Sequence, residues 1–171
     1  MKMRRIVKGF LTQSDRISGH SGFIAAMAVV VMMLMIVVEV VLRTFFNTST
    51  LIGVEFGEYL LAAVVFLGAS YTLREKGHIK IDFALKRFPK RSQKVLNLAM
   101  MVLTLIISIL LVRYGWHLII GSYTLKTEAW SAMHTPLFIP QIFMGVGVIL
   151  LLMQVVAELL RQLWDSREAQ Q

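Results

Sequence analysis

The sequence predicts an all-α integral membrane protein of four transmembrane helices, and three observations carry that reading. Four apolar runs, residues 21–43, 51–73, 95–120 and 136–160, each exceed the roughly 20 residues that a helix needs to cross the hydrocarbon core of a bilayer. Hydrophobic residues make up 57% of the chain, above the roughly 45–50% of an ordinary globular domain. Fifteen of the eighteen Lys and Arg residues fall in three places: residues 2–16, residues 74–94 and the tail from Arg161. Connections rich and poor in basic residues therefore alternate, which under the positive-inside rule places both termini in the cytoplasm (N-in/C-in).

The elements follow in order. Met3, Ile6, Val7, Phe10 and Leu11 recur at helical spacing among Lys2, Arg4, Arg5 and Lys8. They predict a cytoplasmic amphipathic segment over residues 1–20 that lies on the inner leaflet. The first crossing, residues 21–43, has an apolar run longer than a signal-peptide core and no small-residue cleavage pattern behind it, so it reads as an uncleaved anchor. A short polar connection without basic residues leads into the second crossing, residues 51–73, where Gly68, Ala69 and Ser70 permit close helix approach.

The longest basic connection follows. Within it Ile81, Ala84, Leu85 and Phe88 fall at i, i+3, i+4 and i+7, which predicts a second interfacial helix ended by Pro89. Its headgroup-facing cations would be Lys86, Arg87, Lys90 and Arg91. The third crossing spans residues 95–120. The outer connection beyond it holds only Lys126 and Glu128 as charges. Pro136 suits the first turn of the fourth crossing, residues 136–160, and Pro140 would kink or delay that helix. Trp116 and Trp130 fall near the outer interface and Trp164 near the inner one, as an aromatic belt requires. Residues 161–171 form a cytoplasmic tail. The four-helix membrane domain, 21–160, leaves no room for a separate soluble domain.

Six ionisable residues share one level in the outer third of the bilayer: Glu39 and Arg43 on the first crossing, Glu55 and Glu58 on the second, Arg113 and His117 on the third. Each costs at least about 2.5–3.5 kcal/mol to insert unless it finds a partner or water. Glu39 with Arg43, and Arg113 with His117, stand at i, i+4 and share a helix face. The cluster reads as a stretch of ion or proton pathway, as an anion site, or as a structural clasp or subunit contact. A pathway would need ionisable groups deeper in, and the inner halves of the first three crossings have none. Glu58 and Arg113 are the expected fastening between the second and third helices.

Several chemistries are set aside. The chain has no cysteine, which excludes disulfides, thiolate metal sites and Cys nucleophiles. Net charge +8 flanks apolar helices, so topology and anionic headgroups explain it without nucleic acid. Of the four histidines, His20 and His117 lie at opposite ends of their crossings and cannot share a haem, while His78 and His134 lie in connections. No catalytic signature is present, the eleven methionines suit packing better than metal binding, and no cofactor or enzyme activity is expected.

One stretch is more specific. Glu55-Phe-Gly-Glu58-Tyr-Leu is followed by Phe66-Leu-Gly-Ala-Ser-Tyr71-Thr-Leu-Arg74, then Gly77-His78-Ile-Lys-Ile-Asp82 and Arg87-Phe-Pro89. With Arg43 ending the first crossing and Thr135-Pro-Leu-Phe-Ile-Pro-Gln141 opening the fourth, the chain resembles the small membrane subunit of tripartite ATP-independent periplasmic (TRAP) transporters, the DctQ-like family. The resemblance spans about residues 20–160. It implies a bacterial inner-membrane complex in which a large permease subunit moves an organic acid with a coupling ion, supplied by a periplasmic substrate-binding protein. The small subunit is implied to be a scaffold. The cytoplasmic turn motif, His78 and Asp82, would set the angle between the second crossing and the interfacial helix. A membrane anchor of a respiratory complex and a stand-alone small transporter are the competing readings.

Overall fold

A computed structural model describes residues 2–48, 52–75, 90–129 and 134–168. The described residues are helical apart from short connections. They form α1 (Lys2–Phe46), α2 (Ile52–Arg74), α3 (Lys90–Thr124) and α4 (Phe138–Glu168). Each contains a segment long and apolar enough to cross a membrane, so the four-helix membrane class holds. The expected interfacial helix around residues 81–88 lies outside the described residues.

The helices do not close into a square bundle. Among the described residues α1 lies against α2, α2 against α4, and α4 against α3, with a smaller α1–α4 interface. The one substantial interface of α3 is with α4. Small side chains set these contacts. Ala25 of α1 packs on Ala63 and Leu67 of α2, with Leu150 of α4 against them. A Cβ at Gly147 would lie 2.5 Å from the Phe66 carbonyl carbon, so the missing side chain lets α4 touch the backbone of α2. Lipid tails are as apolar as leucine, so helices in a bilayer associate through such close packing rather than through burial of apolar area.

Three details depart from the sequence reading. The first is that α1 runs unbroken through residue 20 to Phe46. At 45 residues and 1.5 Å per residue it is roughly 68 Å long, about twice the thickness of a hydrocarbon core. Its first turns therefore extend beyond that core as a continuation of the crossing. Ser14, Ser18 and Ser21 of this stretch are buried, and Ser18 and Ser21 bond to Gln154 of α4 and Ser70 of α2. The second is that Pro136 stands before α4, in an antiparallel bridge with Glu128. The third is that Pro140 takes the first-turn place expected of Pro136. There its absent N–H costs no helical bond.

The turns at the α3–α4 end are built locally. Lys126, at φ 47°, ends α3 in the left-handed region, and the Thr127 N–H donates to the Ser122 carbonyl at 3.1 Å, the long bond of a Schellman cap. Ala129 then donates to Thr135 and Leu137 to Thr127, which pins the entry to α4.

Candidate functional site

Polar groups gather at two ends of the molecule. At the end where α1 stops and α2 starts, the Arg43 guanidinium stands 3.6 Å from Glu39 of the preceding turn. Glu39 is buried because Gly53 opens α2 directly opposite it; a Cβ at Gly53 would lie 3.3 Å from that of Glu39. Glu55 is buried and accepts a hydrogen bond from the Tyr59 hydroxyl at 2.8 Å. Glu39, Arg43 and Glu58 line one groove of about 450 Å³, whose floor is Met32, Ile36, Val40 and Leu61.

The structure thus brings Glu39, Arg43 and Glu58 to one groove, sets Glu55 against Tyr59 on the same helix, and leaves the other two apart. Arg113 and His117 are exposed on α3, which packs on α4. No ion pair joins Glu58 to Arg113 among the described residues. Of the remaining residues singled out from sequence, His78, Asp82, Lys86 and Arg87 lie outside the described residues. Lys90 and Arg91 form the first turn of α3, with side chains also outside the description.

The opposite end holds a cluster that the sequence reading missed. Ser18 donates to the Gln154 amide oxygen at 2.8 Å, and the amide nitrogen of Gln154, a fully buried residue, donates to Asp15 at 3.2 Å. Arg161 bridges two acids, Asp15 at 2.8 Å and Glu158 at 2.9 Å. The Ser21 and Ser70 hydroxyls meet at 2.8 Å. Together these bonds join α1 to α2 and to α4. A charged side chain buried in this way is tolerated because each acid has the guanidinium as partner. The signal was present in the chain: Ser14, Ser18 and Ser21 repeat at i, i+4 and i+7, and so do Gln154, Glu158 and Arg161.

Among the described residues no three His, Cys, Asp or Glu side chains converge as metal ligands would. Glu39 and Ser18, one from each cluster, are 21 positions apart on α1, roughly 31 Å along the axis. Apolar Ala25, Ala63 and Leu67 pack together within that interval.

A family model described as "Tripartite ATP-independent periplasmic transporters, DctQ component" matches residues 32–164. No curated protein sequence matches the chain.

Proposed function

The chain belongs to the DctQ component family of the TRAP transporters, and on that premise we propose that this small subunit is a stationary scaffold for solute uptake. The moving parts would be a large permease subunit, coupled to an ion gradient, and a periplasmic binding protein that delivers an organic acid. The membrane would be the bacterial inner membrane, with the polar cluster of Asp15, Gln154 and Arg161 on the cytoplasmic side and that of Glu39 and Glu58 on the periplasmic side.

The observation that carries the reading is the separation of those clusters by packed alanine and leucine. Ionisable groups at two ends with an apolar plug between them suit a brace, whereas a conduit needs a chain of polar groups across the bilayer. Arg113 and His117 support it further. Both sit on the outward side of α3, and neither is bonded to another described residue, so a partner surface or periplasmic water is their natural complement. The basic connection that includes Lys86, Arg87, Lys90 and Arg91 would hold the scaffold against anionic headgroups, with His78 and Asp82 setting its direction.

Reconstitution tests this reading. Vesicles that hold the small subunit alone should accumulate no organic acid under an imposed sodium or proton gradient. Vesicles that also hold the large subunit, supplied with loaded binding protein, should accumulate it. Accumulation by the small subunit alone would refute the scaffold role.

A further inference from the structure

The geometry points to a binding site for the phosphate headgroup of an anionic phospholipid at the base of the α1–α2 pair. The site rests on the reading of the first turns of α1 as the cytoplasmic end of the molecule. It involves none of Lys86, Arg87, Lys90 and Arg91.

A recess of about 480 Å³ opens there, lined by Thr12, Arg16, Gly19, His20 and Phe23 of α1 and by Arg74 of α2. The α1 residues fall at helical spacing, so they form one stripe along the axis. Gly19 admits the second cation. A Cβ at Gly19 would lie 2.8 Å from Arg74 Nη1, so the glycine leaves room for that guanidinium against the α1 backbone. Arg74 is held from behind by the Tyr71 ring, 5.9 Å to its centroid, and by Glu75 at 3.8 Å. A third of its side chain stays open, at 34% exposure.

One cation of the recess, Arg16, is left without an acid among the described residues. Asp15 also lines it, but Arg161 already holds that carboxylate at 2.8 Å. Arg16 and His20 make no hydrogen bond or ion pair with any described residue. Arg16 thus brings an unneutralised guanidinium to a concave surface that Arg74, itself 3.8 Å from Glu75, also borders. A guanidinium fork matches phosphate oxygens in shape and charge.

The surroundings select a lipid over a free phosphate. Phe23, 67% exposed, stands seven residues beyond Arg16, roughly 10 Å up the axis. Exposed Met27, Val30 and Val31 continue the same surface. That rise is the step from headgroup to acyl chain at a leaflet, so one amphiphile would place its phosphate on Arg16 and Arg74 and its chain along α1.

The test uses the full-length purified protein, delipidated in a neutral detergent and titrated with dioctanoyl phosphatidylglycerol, dioctanoyl phosphatidylcholine or inorganic phosphate. Bound lipid is counted by native mass spectrometry. Wild-type protein should prefer phosphatidylglycerol, and Arg16→Gln/Arg74→Gln should weaken its binding about tenfold, with phosphatidylcholine unaffected. Lys126→Gln, at the far end, should change neither. If the double variant loses its helical circular-dichroism signal, Arg16→Gln alone decides, since that side chain is exposed and holds nothing in place. An unchanged preference in the decisive variant overturns the site. So does a wild type indifferent to headgroup charge, or one in which inorganic phosphate displaces the lipid at equal concentration. Topology is read separately, by labelling of Arg16→Cys in intact cells. Labelling from outside would overturn the cytoplasmic assignment and leave the binding result standing.

Discussion

Gly147 and Gly145 stand two positions apart on α4, and the neighbours that a methyl group would meet differ in kind. At Gly147 the obstacle is the Phe66 backbone, with its carbonyl carbon at 2.5 Å and oxygen at 2.6 Å. At Gly145 it is Ile119 Cδ1 at 2.9 Å, the tip of a side chain that can rotate. Gly147→Ala should therefore destabilise by about 1–3 kcal/mol through overpacking, because α2 and α4 must move apart. Gly145→Ala should be near neutral, since the helix-propensity gain of about 1 kcal/mol offsets a small adjustment. Unfolding in mixed micelles followed by circular dichroism would rank the two, and equal stability would count against the close α2–α4 contact. Arg161 gives a second comparison at this scale. Arg161→Gln strands the buried Glu158 and the partly buried Asp15. The loss should be about 2 kcal/mol, below the roughly 3–5 of a fully buried pair because Asp15 is partly solvated. Adding Asp15→Asn and Glu158→Gln should restore most of it, since no unpaired charge then remains. A triple variant as unstable as the single one would mean that Arg161 acts through packing alone.

At the scale of elements, the four crossings were legible because hydropathy is a local property of 20-residue windows. The course of α1 before residue 20 was not. Its amphipathic spacing among basic residues suggested a separate surface helix, and a contact that ties it to the bundle lies 136 positions away, where Gln154 accepts from Ser18. The same distance hid the Asp15–Arg161–Glu158 cluster, although its helical spacing was visible on each strand of sequence taken singly. The outer cluster was legible in part. Glu39 and Arg43 share one helix, and Glu55 and Glu58 another, while the position of α3 beside α4 depends on packing that depth alone does not specify. Two measurements follow. Nitroxides at Lys8→Cys and Val30→Cys should lie roughly 33 Å apart along a straight α1. A right-angle break at residue 20 would bring them to roughly 23 Å by the same rise per residue. The absence of native cysteine makes the labelling unambiguous. Charge reversal probes the other boundary. Glu58→Lys with Arg113→Glu should assemble no better than the two single reversals, because α2 and α3 share no substantial interface. Recovery in the double variant would bring those helices together after all.

The whole molecule presents two apolar flanks, one on α1 and one on α3, and hydrophobicity cannot say which meets lipid and which meets protein, since both solvents are alike to leucine. Charge can. The exposed flank of α1 over residues 23–38 is uninterrupted by any ionisable side chain. The exposed flank of α3 carries Arg113 and His117 one turn apart, unbonded to any described residue. An arginine left facing lipid near the outer third costs at least about 2.5 kcal/mol, less what snorkelling recovers. A partner that supplies a carboxylate, a backbone carbonyl or a water-lined crevice removes that cost. The large subunit is therefore expected on the α3 side and lipid on the α1 side, an arrangement that would leave the Arg16–Arg74 recess open to the inner leaflet. A photo-reactive residue placed at His117 in the assembled transporter should crosslink to the large subunit, whereas one at Val37 should give mainly lipid adducts. The reverse pattern would move the interface to α1 and leave the α3 charges to be satisfied by periplasmic water.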